Sequence, residues 1–454
     1  MKKLLALVLA LVMSMSLVTI SNAAFKDADK IDYKEAVDVM NAVGVFIGDE
    51  KGNFNAKENL TREQAAKIIA YLELGSKAAD ALVGGATFTD VASSRWSAGF
   101  VGYCAQAGVV AGYDGKFDPA GQLTALQFGK MLLVEIGYDA KAAGMVGADW
   151  AINTSKLMAT TGLMNGIDGS VNQVLSREKA AQMTLNALKT PTVEYATKGS
   201  NITVNGAEIN FGASVPTYVT NTVAKEQTIS NDTLTNSKEY TIELGEKLFK
   251  KLVLENDTTD AFGRPTHTWK LATSKIGEYA DEATLTYTTS VEYGDIYADL
   301  GLSKSTKVNE FYIDGKEAGL PTLVKKSETS LEGSGNGVLT QVYYDEDAND
   351  GKGEIIITEI NTFVGKIGSV TKATSSADRY VSVTKSNVAY SALNTKYETE
   401  DFAKGDLVTY TAAYSKADAR YDIQSVKALE KSTSGLLTEW KGSSVLTVGG
   451  DKGT

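Results

Sequence analysis

Side chains that commonly perform covalent or metal chemistry are scarce in this chain of 454 residues. His267 is the only histidine, so motifs that need two histidine ligands are excluded, and a serine or cysteine nucleophile would have one candidate base. Cys104 is the only cysteine, which excludes an intramolecular disulfide and a cysteine-rich zinc site. The run Gly263 to Trp269 around the histidine is typical of an ordinary loop or strand. The sequence therefore predicts no catalytic residue, no metal site and no cofactor.

A short run that combines a hydroxyl side chain, an arginine and a glutamate occurs twice in the chain. The run Thr61–Glu63 recurs as Ser176–Glu178, and each places an arginine, Arg62 or Arg177, between a hydroxyl and an acid. Each run is typical of a helix start, because the hydroxyl can cap the first turn and the helix dipole favours the acid. A helix N-terminus also favours an anion, and a guanidinium offers paired donors without losing its charge. The runs are therefore helix starts and candidate anion sites.

The elements that must position these runs repeat along the first 190 residues. Phe25 to Phe88 and Thr61 to Thr124 are both 63 residues apart. Each unit has a helical stretch, Gly-Val or Gly-Leu, a glycine-rich turn and a second helix. The third unit is shorter and reaches its second helix at Ser176. We expect units at 25–80, 85–142 and 146–190, which share one core because a single helix pair cannot bury its own apolar face.

The second helices of the first two units carry a specific capping pattern. Thr61 with Gln64, and Thr124 with Gln127, fit the capping box, in which the hydroxyl and the residue three positions later satisfy each other's backbone donors. The sequence thus predicts that these two helices begin directly after the threonines.

These motifs resemble the S-layer homology domain. The resemblance rests on Phe-x-Asp, an aromatic-containing helix, Gly-Val, the turn Gly-Tyr-Asp-Gly-x-Phe-x-Pro at 112–119, and Leu-Thr-Arg-Glu at 60–63. It covers residues 25–190 in three units. It implies an all-α, pseudo-threefold helical bundle whose grooves bind secondary cell-wall polysaccharide, commonly pyruvylated, and so attach proteins non-covalently to the wall. The family is a binding module without catalytic residues of its own.

The resemblance also implies binding residues. It places the groove arginine on Arg62 and Arg177, whereas the second unit has Ala125 at that position, so we expect a weaker groove there. A guanidinium is the expected partner of a sugar that carries a carboxylate. Four further motif positions are candidates, two tryptophans that could stack on a sugar ring and two aspartates, each of which is alternatively a core or capping residue: Trp96, Trp150, Asp27 and Asp90.

Beyond Leu188 the composition changes, and residues 191–200 are interpreted as a linker. The rest is rich in Thr, Val, Tyr and Ile, with hairpin signals at Asn205–Gly206 and Asp314–Gly315. It predicts one or two antiparallel β domains, sandwich or small barrel, over 201–364 and 365–454. Further strands are expected at Gln341–Tyr344, Glu354–Ile360, Tyr380–Val383, Asp406–Thr411, Ile423–Val426 and Val445–Val448.

Two features of the β region could support other functions. The acidic loop Asp345–Gly351 has the oxygen ligands that calcium prefers, but its spacing departs from the helix-loop-helix calcium pattern, and a solvated hairpin turn is the preferred interpretation. Scattered carboxylates could form a glycosidase pair, although sequence does not give their separation.

The N-terminus and the charge balance indicate export. Lys2 and Lys3 precede an apolar core from Leu4 to Ile20 and small residues up to Ala24, which predicts a signal peptide over 1–24. The alternative, a retained anchor, is disfavoured because no basic stop-transfer cluster follows. No later stretch is long enough to span a bilayer. The formal net charge of −11, without a basic block, argues against nucleic-acid binding.

Three functions remain at this point. The first is a structural surface-layer or envelope protein that binds wall polysaccharide without turnover, for which lateral self-assembly is a further expectation. The second is a wall-anchored adhesin or carbohydrate-binding protein, and the third a surface glycoside hydrolase. The ending directly after an apparent strand is compatible with a chain that continues past Thr454.

Overall fold

The computed structural model describes a chain with two compact units. The described residues are 25–85, 88–204, 207–221, 234–235, 239–335, 337–346, 348, 353–373, 379–384, 390–399, 402–429, 437–440, 446–448 and 451–453. Those within 18–256 and 268–278 form the helical unit, and those within 257–267 and 279–454 form the β-rich unit. The predicted signal peptide lies outside the described residues. Among the helices that the structure describes, none has the length and apolar character of a membrane span.

The helical unit follows the predicted plan of helix, turn and helix. Both predicted capping boxes are confirmed: the Thr61 N–H donates to Gln64 Oε1 over 2.9 Å, and the Thr124 N–H donates to Gln127 Oε1 over 3.0 Å, with the reciprocal bonds also present. The helices are α1 Lys34–Ala42, α2 Arg62–Leu74, α3 Ser76–Ala79, α4 Ala98–Gln106, α5 Ala125–Ile136, α6 Trp150–Thr160, α7 Arg177–Leu188 and α8 Leu244–Leu248, after a short 3-10 helix at Ala28–Lys30.

A closed set of backbone hydrogen bonds joins the second helices of the three sequence units. The Leu123 N–H donates to the Leu60 carbonyl over 2.9 Å, Leu175 donates to Leu123 over 2.9 Å, and Leu60 donates to Leu175 over 2.8 Å. All three leucines are buried, and each contributes about 2 kcal/mol of burial free energy. In the same cyclic order α2 packs against α4, α5 against α6, and α7 against α1.

Short strands follow the helices and complete this part of the chain. Strands β2 and β3 pair antiparallel with Val204 opposite Ala207, as the hairpin signal predicts, although the turn itself lies outside the described residues. The strands are β1 Val193–Glu194 paired with β4 Thr217–Tyr218, β2 Ser200–Val204 with β3 Ala207–Phe211, β7 Glu239–Thr241 between β5 Thr220–Asn221 and β6 Leu234–Thr235, and β9 Pro265–Leu271 between β8 Leu252–Thr259 and β10 Ser274–Ala280.

The β-rich unit begins with a sheet in the order β11-β16-β17-β13-β14. The predicted hairpin at Asp314–Gly315 and the predicted pairing of β16 with β17 are confirmed. Strand β13, however, runs parallel to β17, which differs from the expected antiparallel arrangement, because a long crossover separates the two strands along the chain. The elements are β11 Leu285–Tyr287, β12 Thr306–Lys307, β13 Glu310–Ile313, β14 Lys316–Glu317, β15 Thr322–Leu323, β16 Val338–Asp345, β17 Glu354–Asn361 and helix α9 Tyr293–Asp299.

A second sheet of the β-rich unit curls into a nearly closed barrel in the order β20-β23-β22-β18-β19-β21. Its core includes Ile367, Val381, Val408 and Tyr410, all buried. The pairing is antiparallel apart from β20, which runs parallel to β23. The elements are β18 Phe363–Thr371, β19 Tyr380–Thr384, β20 Leu393–Asn394, β21 Lys396–Glu398, β22 Leu407–Ser415 and β23 Arg420–Ala428, followed by β24 Leu437–Trp440, β25 Leu446–Val448 and β26 Asp451–Gly453.

Candidate functional site

Arg62, at the start of α2, is held by the glycine turn of the following unit. Its Nε donates to the Phe117 carbonyl oxygen over 2.8 Å, and its Nη2 donates to the Ala111 carbonyl oxygen over 3.3 Å. The guanidinium carbon lies 4.7 Å from the centre of the Phe117 ring, a cation–π contact. A guanidinium has five N–H donors, so within the described structure three remain for a ligand. We call this place the Arg62 junction.

Arg177, at the start of α7, has the same surroundings in the turn of the first unit. Its Nε donates to the Phe54 carbonyl oxygen over 3.0 Å, and its Nη2 donates to the Ile47 carbonyl oxygen over 3.2 Å. Its guanidinium carbon lies 5.1 Å from the centre of the Phe54 ring. We call this place the Arg177 junction. Two arginines that are distant in sequence are therefore presented in one geometry.

The phenylalanine under each arginine is itself supported by a second ring. Phe117 stacks on Phe88 with ring centres 5.4 Å apart, and Phe54 lies 5.3 Å from Phe25. This layering requires glycine in the turn, because a Cβ at Gly112 would lie 2.4 Å from the Phe88 ring. Each junction is thus a stack of two phenylalanine rings and one guanidinium group. This stacking holds the guanidinium in one orientation without a ligand.

Aspartates stabilise the turns without pairing directly with the arginines. Asp90 accepts the Phe117 and Asp118 N–H groups over 2.8 and 2.7 Å, and Asp27 accepts the Phe54 and Asn55 N–H groups over 2.7 and 2.8 Å. The bond from the Phe117 N–H is the main reason that the pKa of Asp90 is lowered. Both aspartates therefore have a turn-holding role beside their arginines.

The electrostatic state of the arginines follows from burial. Burial lowers the pKa of both groups, and nearby carboxylates, Asp118 and Asp90 at Arg62, partly offset that effect. Because an arginine guanidinium ordinarily loses its proton only far above neutral pH, both groups stay charged at neutral pH despite this lowered pKa. Neither forms an ion pair with a carboxylate of the described residues. Their charge is available to an anion.

The backbone at these helix starts offers no free anion site, in contrast to the sequence interpretation. The Arg62 N–H donates to the Gly121 carbonyl over 2.9 Å, and the Glu63 N–H donates to the Pro119 carbonyl over 3.0 Å. The third N–H, of Gln64, donates to the cap Thr61 over 3.4 Å. These groups are occupied because the turn of the next unit packs on the helix end. An anion at these helix starts would therefore have to be bound by the guanidinium rather than by the backbone.

The glutamates that follow the arginines are structural. Glu63 is buried and accepts from Arg95 Nε and Nη2 over 2.7 and 2.8 Å and from Ser97 over 2.5 Å. Glu178, also buried, accepts the Asp32 N–H over 2.8 Å and bonds to Lys57. Hydrogen bonds from Arg95 are the leading effect that lowers the pKa of Glu63 against the opposing effect of burial. Each acid joins the second helix of one unit to a neighbouring unit.

The two tryptophans lie at different places in the helical unit. Trp96 is 53% exposed, lies beside Glu63, the residue that follows Arg62, and has its ring centre 6.2 Å from that of Phe100 in α4. Trp150 lies with Lys130, whose Nζ is 5.9 Å from the indole, where α5 packs against α6. The structure therefore brings Arg62 and Asp90 together around Phe117, and Arg177 and Asp27 together around Phe54. Trp96 lies beside Glu63 rather than at the Arg62 guanidinium, and the cation beside Trp150 in the described structure is Lys130.

The start of α5 packs against the turn of the third unit, and we call this place the Ala125 junction. It has the same backbone hydrogen bond as the other two junctions but lacks their arginine and phenylalanine side chains. The Ala125 N–H donates to the Gln173 carbonyl over 3.0 Å, as Arg62 does to Gly121. Gly169 stands six residues before Leu175, the position that Phe54 and Phe117 hold before Leu60 and Leu123. The Gln173 side chain and the Lys179 ammonium, which donates to the Asp168 carbonyl over 2.8 Å, occupy this place.

Sequence reasoning missed the phenylalanine rings under the arginines. It also missed that the junction with Ala125 in place of the arginine has Gly169 in place of the phenylalanine. The signal was present: Phe54 and Phe117 both stand six residues before the leucine that precedes the helix cap. His267 lies in strand β9, as the sequence interpretation of an ordinary loop or strand residue predicts, and its Nδ1 is 2.6 Å from Asp281 Oδ1, while Cys104 is buried.

Comparison with protein families matches the helical unit. The S-layer homology domain model matches residues 24–66 and 87–127, which contain the start of α2 with Arg62 and the turn that holds it. The chain contains S-layer homology domains. The third predicted unit, 146–190, lies outside the matched residues and stays a prediction.

Two curated relatives support the same class. A "Surface layer protein" of Brevibacillus choshinensis is 29% identical over 213 residues, 45% of this chain and 18% of the relative. A "Middle cell wall protein" of Brevibacillus brevis (strain 47 / JCM 6285 / NBRC 100599) is 27% identical over 204 residues, 44% of this chain and 19% of the relative. The aligned segments span about a fifth of the length of these relatives. With the S-layer homology domains, they identify a secreted protein of the cell surface or cell wall, of surface-layer type.

Proposed function

We propose that the chain attaches non-covalently to the bacterial cell wall by binding an acidic secondary cell-wall polysaccharide at the Arg62 and Arg177 junctions. The observation that carries this proposal is the pair of charged guanidinium groups, each fixed on a phenylalanine ring and two carbonyls with donors to spare. A carboxylate such as that of a pyruvyl group would accept two parallel N–H bonds, each worth about 1.5–3 kcal/mol.

The proposal includes three units in a pseudo-threefold bundle. The closed ring of hydrogen bonds among Leu60, Leu123 and Leu175 supports it, because each unit contributes the same position to the ring. The cyclic packing of α2 on α4, α5 on α6 and α7 on α1 supports it as well. The third unit therefore completes the first, since its Arg177 is seated in the turn of the first unit.

The three junctions are not equivalent in this proposal. The Arg62 junction is taken as the strongest site, because the exposed Trp96 lies beside the adjacent Glu63, where its flat face could meet a longer polysaccharide chain. The Arg177 junction has the arginine alone. The Ala125 junction, with Trp150 and Lys130 but no stacked arginine, is the weakest. Asp27 and Asp90 enter as residues that hold the turns, and their contact with the polysaccharide is indirect.

Co-sedimentation of the full chain with purified cell wall tests the proposal. We expect binding that disappears when the secondary polysaccharide is removed chemically, and that falls at least about 100-fold in the Arg62→Ala, Arg177→Ala double variant, from the loss of two charge-assisted contacts. Arg420→Ala is the matched control, because this exposed arginine pairs with Asp418 and Asp422 in the β-rich unit. Equal sedimentation of the double variant and the control would contradict the proposal.

We infer that the β-rich unit is carried outward without turnover of a substrate. The names of the relatives, a surface layer protein and a cell wall protein, support a structural role, and lateral assembly is a further part of this proposal. Two carboxyl groups with strongly raised pKa values, Asp314 and Glu359, are fully buried rather than set in a cleft. A wall hydrolysis assay that released sugars above the level of heat-treated protein would overturn this inference.

A further inference from the structure

A cavity of about 240 Å³ lies in the helical unit, where α6 and α7 end. Its walls include Tyr138, just after α5, and Tyr218 in β4. Helix α7 is 12 residues long, so the cavity is about 18 Å from Arg177 at the other end of that helix. The cavity is thus separate from the Arg177 junction.

The two tyrosines are brought together by a close backbone approach. Gly137 ends α5 with φ 117°, and a Cβ there would lie 2.0 Å from the Val193 carbonyl oxygen. Only glycine lets β1 approach this closely, and β1 pairs with β4 so that Val193 stands opposite Tyr218. Tyr138 is buried, whereas Tyr218 is 52% exposed, so one aromatic face closes the cavity and the other remains open to solvent.

The polar lining is rich in acceptors. Thr161 Oγ1 donates to the Leu157 carbonyl over 2.8 Å, and Thr190 Oγ1 donates to the Asn186 carbonyl over 2.9 Å, so oxygen lone pairs remain for a ligand. The negative dipole ends of α6 and α7 meet here as well, and they disfavour an anion. Lys189 adds one ammonium, but Glu35 Oε1 lies 3.5 Å from it and balances its charge.

We propose that this cavity binds one neutral, polyhydroxylated sugar residue, with its hydroxyl groups donating to the threonine and amide oxygens and its apolar face on Tyr218. Aromatic side chains commonly serve as such platforms, because they combine an apolar face with a polar end. The size fits a single ring rather than a long oligosaccharide. This site prefers a neutral ligand, unlike the arginine junctions, which prefer an anion, and it does not depend on the function proposed for them.

Saturation-transfer NMR with the full chain tests this site. The probes are the methyl glycosides of glucose, N-acetylglucosamine and N-acetylmannosamine, with glucuronic acid as the charged counterpart. We expect at least one neutral glycoside to bind, and to bind at least about 5-fold more weakly to Tyr218→Ala and to Asn165→Ala, from the loss of one stacking or polar contact. Tyr113→Ala is the matched control, because Tyr113 is 90% exposed and lies outside the cavity.

The Arg62→Ala, Arg177→Ala double variant separates the two kinds of site, since it should bind the neutral glycoside as the unaltered chain does. Three outcomes would overturn the inference: no signal from any neutral glycoside, equal binding by Tyr218→Ala and the unaltered chain, or binding of glucuronic acid alone. A neutral-sugar signal that vanishes in the double variant would also overturn it, because the sugar would then be at the arginine junctions.

Discussion

The Arg62 and Ala125 junctions share a backbone and differ in what they can bind. At both, the first N–H of a helix donates to a turn carbonyl two residues before a buried leucine, over 2.9 and 3.0 Å. The Arg62 junction adds a guanidinium on Phe117, whereas the Ala125 junction has neither the arginine nor the ring, because Gly169 replaces the phenylalanine. The leucines are common to both junctions, whereas the side chains to which we assign binding are present at only one of them.

The β-rich unit contains buried carboxyl groups whose pKa values are raised, in contrast to the charged arginines of the helical unit. Burial raises the pKa of Asp314 to about 6 and that of Glu359 to about 8, so Glu359 is mostly protonated at neutral pH. Asp314 accepts the Asn361 N–H over 2.7 Å and also bonds to Tyr390. The two guanidinium groups stay charged beside carbonyls and a ring, whereas Glu359 in the core of the β-rich unit is mostly neutralised by a proton at neutral pH.

The largest effect should come from the shared backbone ring. Leu123→Ala removes a buried side chain and should lower the free energy of unfolding by about 3 kcal/mol, as much as Leu60→Ala, because both leucines belong to the same closed set of backbone hydrogen bonds. Urea denaturation of the helical unit, followed by far-ultraviolet circular dichroism, measures both. Leu74→Ala, at an exposed position, is the control and should change stability by less than about 0.5 kcal/mol. A much smaller loss of stability for Leu123→Ala than for Leu60→Ala would show that the two leucines do not contribute equally to the closed set of backbone hydrogen bonds.

The second-largest effect concerns the buried carboxyl group of Glu359 and the stability of the β-rich unit. Because the folded pKa of Glu359 is raised to about 8, the β-rich unit should lose stability as pH rises from about 5 to about 8. Glu359→Gln keeps the neutral form and should stabilise the unit at pH 9 by about 2 kcal/mol relative to the unaltered chain. Hydrogen exchange of the β16 and β17 amides reports this locally. The exposed Glu328→Gln should behave like the unaltered chain, and equal pH dependence in both variants would contradict the assignment.

The two tryptophans give a smaller, paired effect on wall binding. Trp96→Ala should weaken binding about 5-fold, since one aromatic contact is worth about 1 kcal/mol, while Trp150→Ala should change it less than about 2-fold. Equilibrium binding to purified wall measures both variants. The reverse order would place the stronger site at the Ala125 junction.

The smallest effect should come from adding the missing arginine. Ala125→Arg should raise wall affinity less than about 2-fold, because the new guanidinium has no ring beneath it. Gly169 cannot simply be restored to phenylalanine, since its φ is 106° and a Cβ would meet Gln173 at 2.3 Å. A large gain from the single substitution, in the same binding assay, would show that the platform is unnecessary.

Sequence patterns among neighbouring residues predicted many of the local elements. They did not predict the contacts between residues that are far apart in the chain. The capping boxes at Thr61 and Thr124 and the hairpin at Asp314 depend on neighbours in sequence, and the structure confirms them. The ring under Arg177 is Phe54, 123 residues away, and no local pattern joins the two. The parallel pairing of β13 with β17 was missed for the same reason. The domain boundaries and the binding residues stay predictions.

Titration calorimetry of the full chain with short, purified fragments of the acidic polysaccharide tests the central claim most directly. We expect two measurable sites per chain, one after Arg62→Ala or Arg177→Ala, and none after both substitutions, because the Ala125 junction has no arginine and should bind too weakly to be measured. Three equivalent sites, or a stoichiometry that neither substitution changes, would contradict the claim that binding resides at the two arginine junctions.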